Sequence, residues 1–170
     1  QEAKVETVMG AYNRTNGEAC CGSKTLLQDI LRDEWGFDGH ITSDCWAIKD
    51  FHNGHGVTDS ALESVALAVK NGCDLNCGNL FHYVQEAVKQ GLVDEERVDE
   101  ALVNLFTTRM KLGLFDEKGS TPYDDIPYTA VDSKEMQQLN LEAAEKCIVL
   151  LKNEGNLLPL DVTKLETIGV

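Results

Sequence analysis

The feature that most constrains this chain is an alternation: short apolar runs ending on polar residues are separated by longer stretches with apolar residues at helical spacing. Glu6 to Tyr12 is such a run, and the turn-forming Arg14, Thr15, Asn16 and Gly17 follow it, which reads as a buried strand with its exit loop. Ser23 can cap a helix that carries Leu26, Leu27, Ile30, Leu31 and Trp35 on one face, with Gly36 as its stop. Phe37, Asp38 and Gly39 turn the chain into a second strand, His40 to Ser43, which delivers Asp44 at its end. Asp50 to Gly56 read as a polar loop, and Thr58 is expected to cap a helix striped by Leu62, Val65, Ala66 and Val69 and stopped at Gly72. Cys73 to Asn76 read as a third strand. Asn79 is expected to cap a helix through Gln90, and Asp94 opens another with Val98, Leu102, Leu105 and Met110 before Gly113.

Short strands alternating with covering helices imply parallel pairing, in either a doubly wound sheet or a closed barrel. From Leu114 to Val131 the periodicity lapses among Gly119, Pro122, Pro127 and acidic residues, as in a connection between domains. Ser133 then caps a helix with Met136, Leu139, Leu141 and Ala144, which leads into the strand-like Ile148 to Leu151. Leu157 to Leu160 and the terminal Ile168, Gly169 and Val170 read as the opening of a further α/β domain. The expected organisation is therefore a first domain over 1–113, a linker over 114–132 and the start of a second domain over 133–170. With no initiating methionine, residue 1 reads as a cut or a processing point.

Charge narrows the partners. A formal net charge of −14 repels phosphate backbones and anionic headgroups, so neither nucleic acid nor a membrane surface is expected as a partner. No Gly-rich phosphate loop follows a strand, and nothing calls for a cofactor. His52 and His55 form an H-x-x-H without a completing carboxylate or thiol, so loop polarity is preferred to a metal site. The six cysteines are too irregularly spaced for a zinc ribbon and read as buried free thiols. A Cys45–Cys77 pair is the alternative left open by two neighbouring strand ends. Asn13-Arg14-Thr15 spells a glycosylation acceptor but sits where a glycan would block the strand-end face, so the match reads as coincidence.

Polar residues close each strand: Tyr12 with Asn13, Asp44, and Asp74 with Asn76. In a (β/α) barrel those ends share one face, where active sites assemble. An Asp at a strand end equally often caps a helix or bonds a turn, so position alone does not choose among them.

The run Val8-Met9-Gly10-Ala11-Tyr12-Asn13 with Asn16-Gly17, then Leu31-Arg32, Trp35-Gly36-Phe37-Asp38-Gly39 and Ser43-Asp44, closely resembles glycoside hydrolase family 3. Val98-Asp99, Lys111-Leu112-Gly113-Leu114-Phe115, Val149-Leu150-Leu151-Lys152-Asn153 and Leu158-Pro159-Leu160 match that family's later landmarks, so the resemblance covers nearly the whole chain. It implies the C-terminal part of a (β/α)8 TIM-type barrel followed by the start of an α/β sandwich domain, in a fragment that would be inactive alone. It further implies a retaining β-glycosidase acting on a β-linked oligosaccharide, with Asp44 as the nucleophile and Tyr12 bordering it in the sugar pocket. Such chemistry needs an ionised carboxylate and a protonated one roughly 5–5.5 Å apart. The family's acid/base lies in the second domain, so no residue of this chain is assigned that role. The Tyr12 hydroxyl is expected to favour the charged form of Asp44, and Asp74 is read as structural or supporting.

Ser43-Asp44-Cys45 and Cys73-Asp74-Leu75-Asn76-Cys77-Gly78 resemble the β-xylosidase branch, where Cys replaces an aromatic that follows the nucleophile in many of the family's glucosidases. Trp46, offset by one, is read as packing behind the strand. The competing readings are a β-glucosidase or α-L-arabinofuranosidase of the same family and a catalytically silent barrel serving as a carbohydrate-binding or scaffold module.

Overall fold

The computed structural model describes residues 2–167 and Gly169, in two compact units, Gln1–Thr121 and Pro122–Val170. In the first unit, β1 (Thr7–Gly10) and β4 (His40–Ser43) run parallel, with Thr7 opposite His40 and Gly10 opposite Ser43. Between them β2 (Arg14–Thr15) and β3 (Glu18–Ala19) form an antiparallel hairpin, so the expected exit loop is ordered. Its two linking residues, Asn16 at φ 52° and Gly17 at φ 91°, take the left-handed conformations that suit the twist of a tight hairpin.

The segment expected as an α-helix after Ser23 winds instead as a π-helix, Thr25–Glu34, ending with Trp35 N–H donating to Ile30 O at 2.9 Å. Ser23 Oγ still accepts from Leu26 N–H at 3.0 Å. The wider winding breaks the apolar stripe: Leu27 is buried, but Trp35 stands half exposed.

The expected polar loop after Asp44 contains a helix, α1 (Ala47–Asn53), whose Ala47, Ile48 and Phe51 are buried. Short helices are stabilised by packing of one face more than by propensity, and that face was hidden among polar neighbours. The next helix, α2 (Ala61–Lys70), is capped by Ser60 rather than Thr58: Ser60 Oγ accepts from Glu63 N–H at 3.2 Å, and Glu63 in return accepts from Asp59 N–H at 2.9 Å. Thr58 bonds the Ser64 hydroxyl instead.

The third strand reduces to one bridge, Thr42 to Leu75, on the side of β4 away from β1. Asp74 takes part of the ladder's place, because its carboxylate accepts the Ile41 N–H at 2.9 Å. The helix expected from Asn79 begins as a 3-10 turn, Leu80–Tyr83, and becomes α3 (Val84–Lys89); Asn79 makes no side-chain cap. The longest helix, α4 (Glu95–Lys111), follows Asp94 as expected and anchors β4 through a buried His40–Thr108 bond at 3.0 Å. The core gathers Ile48, Phe51, Val65, Ala68, Val69, Cys73, Ala87 and Val93 beneath the strand ends.

In the second unit α5 (Lys134–Cys147) starts where Ser133 Oγ accepts from Met136 N–H at 3.3 Å. Ile148 to Leu151, expected as strand-like, is irregular and exposed, as is Leu157–Leu160, which contains a cis Leu158–Pro159 bond. An apolar run becomes a strand only where a neighbour takes its backbone bonds, and among the described residues none does. The terminal expectation at Ile168 and Val170 lies outside the described residues.

Candidate active site

Asp44 follows directly on β4, so the parallel pair aims it at the C-terminal end of the strands. Its carboxylate is partly buried and accepts the Cys45 N–H at 2.7 Å. Several bonds then fasten this corner to the segment 75–78. Ser43 Oγ accepts from Cys77 N–H at 2.9 Å and donates to Asn76 Oδ1 at 3.3 Å, while Trp46 N–H donates to Cys77 O at 2.8 Å. Cys45 and Cys77 are joined in a disulfide, with Cα atoms 4.4 Å apart. The expectation of free thiols is therefore wrong for this pair and the alternative pairing is the one formed. Cys20, Cys21 and Cys73 are buried thiols, and Cys147 is an exposed one.

Tyr12 sits on the loop after β1 and is 41% exposed. Its pKa lies above the usual tyrosine value, chiefly through the Asp50 carboxylate on α1, with the charge of Asp44 acting in the same direction. Tyr12 and Asp44 are thus close enough for their charges to interact. Arg14 and His55 clasp the two loops: His55 Nε2 donates to Tyr12 O at 3.0 Å, and Arg14 donates to His55 O at 3.0 Å. His52 bonds Ser64 Oγ at 2.9 Å. Among the described residues no group of His, Cys, Asp or Glu converges as metal ligands would. Asn13, the acceptor-motif residue, turns its amide onto Arg14 O and Thr15 Oγ1.

Behind Asp44 lies a residue the sequence did not single out. Cys21 is 1% exposed, and its thiol donates to Ala11 O at 3.4 Å. Burial pushes its pKa up to about 11, while the Asp44 backbone N–H pulls the other way. A side chain at Gly10 would run into this sulfur at 2.8 Å, which is why β1 ends on glycine there. Asp50, Ser43 and His55 were likewise missed as parts of the site; only the Ser-Asp pair carried a signal for any of them.

Asp74 does not join the site. Its buried carboxylate accepts from Arg32 at 3.0 Å, Arg97 at 2.8 Å, Asn104 at 3.3 Å and the Ile41 amide, beside the entry of β4 rather than its exit. Trp46 does not pack behind the strand either: it is 52% exposed, with a left-handed backbone at φ 67°.

The family model of the glycosyl hydrolase family 3 N-terminal domain matches residues 2–108. A xylan 1,4-beta-xylosidase of Xylanibacter ruminicola is 40% identical over 173 residues, an alignment covering 99% of this chain and 20% of that protein. A solved GH3 exo-beta-xylosidase (XlnD), in complex with a xylobiose aziridine activity-based probe, superposes with a TM-score of 0.79 at 34% identity, covering 94% of this chain and 21% of the other. A beta-glucosidase from Listeria innocua in complex with glucose gives 0.75 at 29% identity, covering 94% and 22%. The chain spans about a fifth of the length of the curated relatives it matches. The resemblance read in the motifs around Tyr12 and Asp44 thus agrees with matches along the whole chain, and the chain belongs to glycosyl hydrolase family 3.

Proposed function

We propose that the protein containing this chain is a retaining β-glycosidase that releases non-reducing terminal β-D-xylosyl residues through a covalent intermediate on Asp44. The observation that carries the reading is a partly buried carboxylate at the exit of a parallel strand, held in a covalently closed corner. A strand exit is where a (β/α) barrel assembles its chemistry, and a nucleophile must be fixed within reach of one anomeric carbon. Tyr12 borders the sugar, and its hydroxyl, whose pKa lies above the usual tyrosine value, stays protonated and able to donate at neutral pH. The first unit then supplies the last strands of a (β/α)8 barrel over 1–113, the connection runs over 114–132, and residues 133–170 open an α/β sandwich domain. The acid/base comes from outside this chain.

Xylose is favoured over glucose because Cys45 occupies the place next to the carboxylate and is locked to Cys77, and because relatives named as β-xylosidases match at 40–44% identity. In the full-length protein, a 2-deoxy-2-fluoro xyloside should leave its sugar on the peptide containing Asp44, read by mass spectrometry. Labelling elsewhere, or inversion of configuration in the product, would overturn the assignment. A glucoside preference of about tenfold in kcat/KM, roughly 1.4 kcal/mol, would overturn the sugar but not the chemistry. An intact protein without turnover on either substrate would favour the binding or scaffold reading.

A further inference from the structure

The ladder between β1 and β4 ends at Gly10 opposite Ser43, so Ala11 and Asp44 are the first residues beyond it. The Cys21 sulfur stands at that end. Its thiol donates to Ala11 O at 3.4 Å, and the Asp44 backbone N–H faces it closely enough to favour its charged form. The same sulfur lies where a Cβ on Gly10 would be only 2.8 Å away, so the last residue of β1 is stripped of its side chain to admit it.

The turn that carries Cys21 is itself fixed. Cys20–Gly22 is a buried 3-10 turn, and Cys20 N–H donates to Asn13 O at 3.1 Å, on the chain just past Tyr12. On its far side Gly22 sits against α1, where an added Cβ would meet the Phe51 ring at 2.7 Å. Two glycines thus let one short turn press against both the end of β1 and the helix that follows Asp44. This burial is complete within the first unit, with Cys21 at 1% exposure. A small apolar side chain would fill such a core position as well; what a thiol adds is a donor for one strand exit and an acceptor facing the other.

We infer that Cys21 is a positioning residue for the attack on the anomeric carbon: its thiol joins the two strand exits and fixes the main chain of Asp44 against that of Ala11 and Tyr12. The sulfur is too deeply buried to touch substrate and takes no part in bond making. It must keep its proton to donate to Ala11 O, and burial, which pushes its pKa up to about 11, ensures that it does. The rate of attack is sensitive to displacements of the nucleophile well below 1 Å, so a small shift of this backbone is felt in catalysis before it is felt in binding. The role rests on the reading of Asp44 as the nucleophile.

The test uses the full-length enzyme and a 2-deoxy-2-fluoro xyloside, whose labelling of Asp44 gives a binding constant and a rate constant of attack separately. Cys21→Ala should lower the rate constant at least about tenfold and leave the binding constant within about twofold. Cys21→Ser keeps a donor and an acceptor on a shorter arm and should recover most of the loss, standing about two- to fivefold below wild type. Val65→Ala, a truncation at another fully buried position whose side chain has no hydrogen-bonding atom, should lower thermal stability without this change in rate. An unchanged rate constant in Cys21→Ala, an equal loss in Cys21→Ser, or an equal loss in Val65→Ala would overturn the role. Should Cys21→Ala not fold, Cys21→Ser decides alone: a rate constant equal to wild type, or a binding constant that weakens in step, overturns it. If the wild type prefers glucosides, the gluco analogue serves the same comparison. A wild type that is labelled at Asp44 while its Cys21 variants match it loses only this inference; a wild type that is not labelled there loses the nucleophile reading and this inference together.

Discussion

At the scale of single residues, the two aspartates that end similar apolar runs have opposite fates. Asp44 keeps a partly accessible carboxylate with one backbone donor, whereas Asp74 is enclosed by Arg32, Arg97, Asn104 and the Ile41 amide. Asp74→Ala would strand two guanidinium groups that are themselves mostly buried, and should cost about 3–5 kcal/mol in denaturant unfolding of the full-length protein. A loss below about 1 kcal/mol would contradict the structural role. Cys21 makes a pH-dependent contribution of definite sign. Its folded pKa is raised from 9.0 to about 11, so the folded state holds its proton more tightly than the unfolded chain. Stability from this group is fully present below pH 9 and is lost as the pH rises through about 11. The expected loss is of order 2 kcal/mol, and Cys21→Ala should flatten that alkaline limb of the stability curve.

Among the elements, the corner made by β4, α1 and residues 75–78 matters most, and its closure is covalent. Cross-linking a loop of 32 residues removes unfolded-state freedom worth roughly 4 kcal/mol. Cys45→Ser with Cys77→Ser should therefore lower unfolding stability by about that amount, and it should lower kcat more than the binding of a competitive inhibitor, because the freed turn carries Asp44. Unchanged kcat after clean removal of the bridge would show that the hydrogen bonds of Ser43 and Trp46 suffice. Local signals served unevenly here. Ser133 and Asp94 marked real helix starts, while Thr58 lost the cap to Ser60 because the Ser60–Glu63 exchange satisfies donors at both ends of the first turn.

For the whole molecule, the parallel sheet described in the first unit has two strands, β1 and β4, extended by a single bridge at Leu75. Parallel strands are ordinarily covered on both faces and paired at both edges, and an isolated pair leaves donors and acceptors open. The 170-residue chain expressed alone is expected to show no glycosidase activity and to self-associate as its concentration rises, measured by turnover of aryl xylosides and by light scattering. A monodisperse, active monomer would overturn the placement of this chain within a larger barrel.

The parallel strands β1 and β4, the helices α2, α4 and α5, the membership of the family and the candidacy of Asp44 and Tyr12 were legible in the sequence, because side-chain periodicity and short collinear motifs are local properties. What needed the tertiary structure were the pairings. The approach of Asp50 to Tyr12, the bridge between Cys45 and Cys77, the burial of Cys21 behind Asp44 and the turning of Trp46 toward solvent all join residues far apart in sequence or depend on such a joint. Their free energy comes from contacts made only after the chain has closed its loops. No window of neighbouring residues contains it.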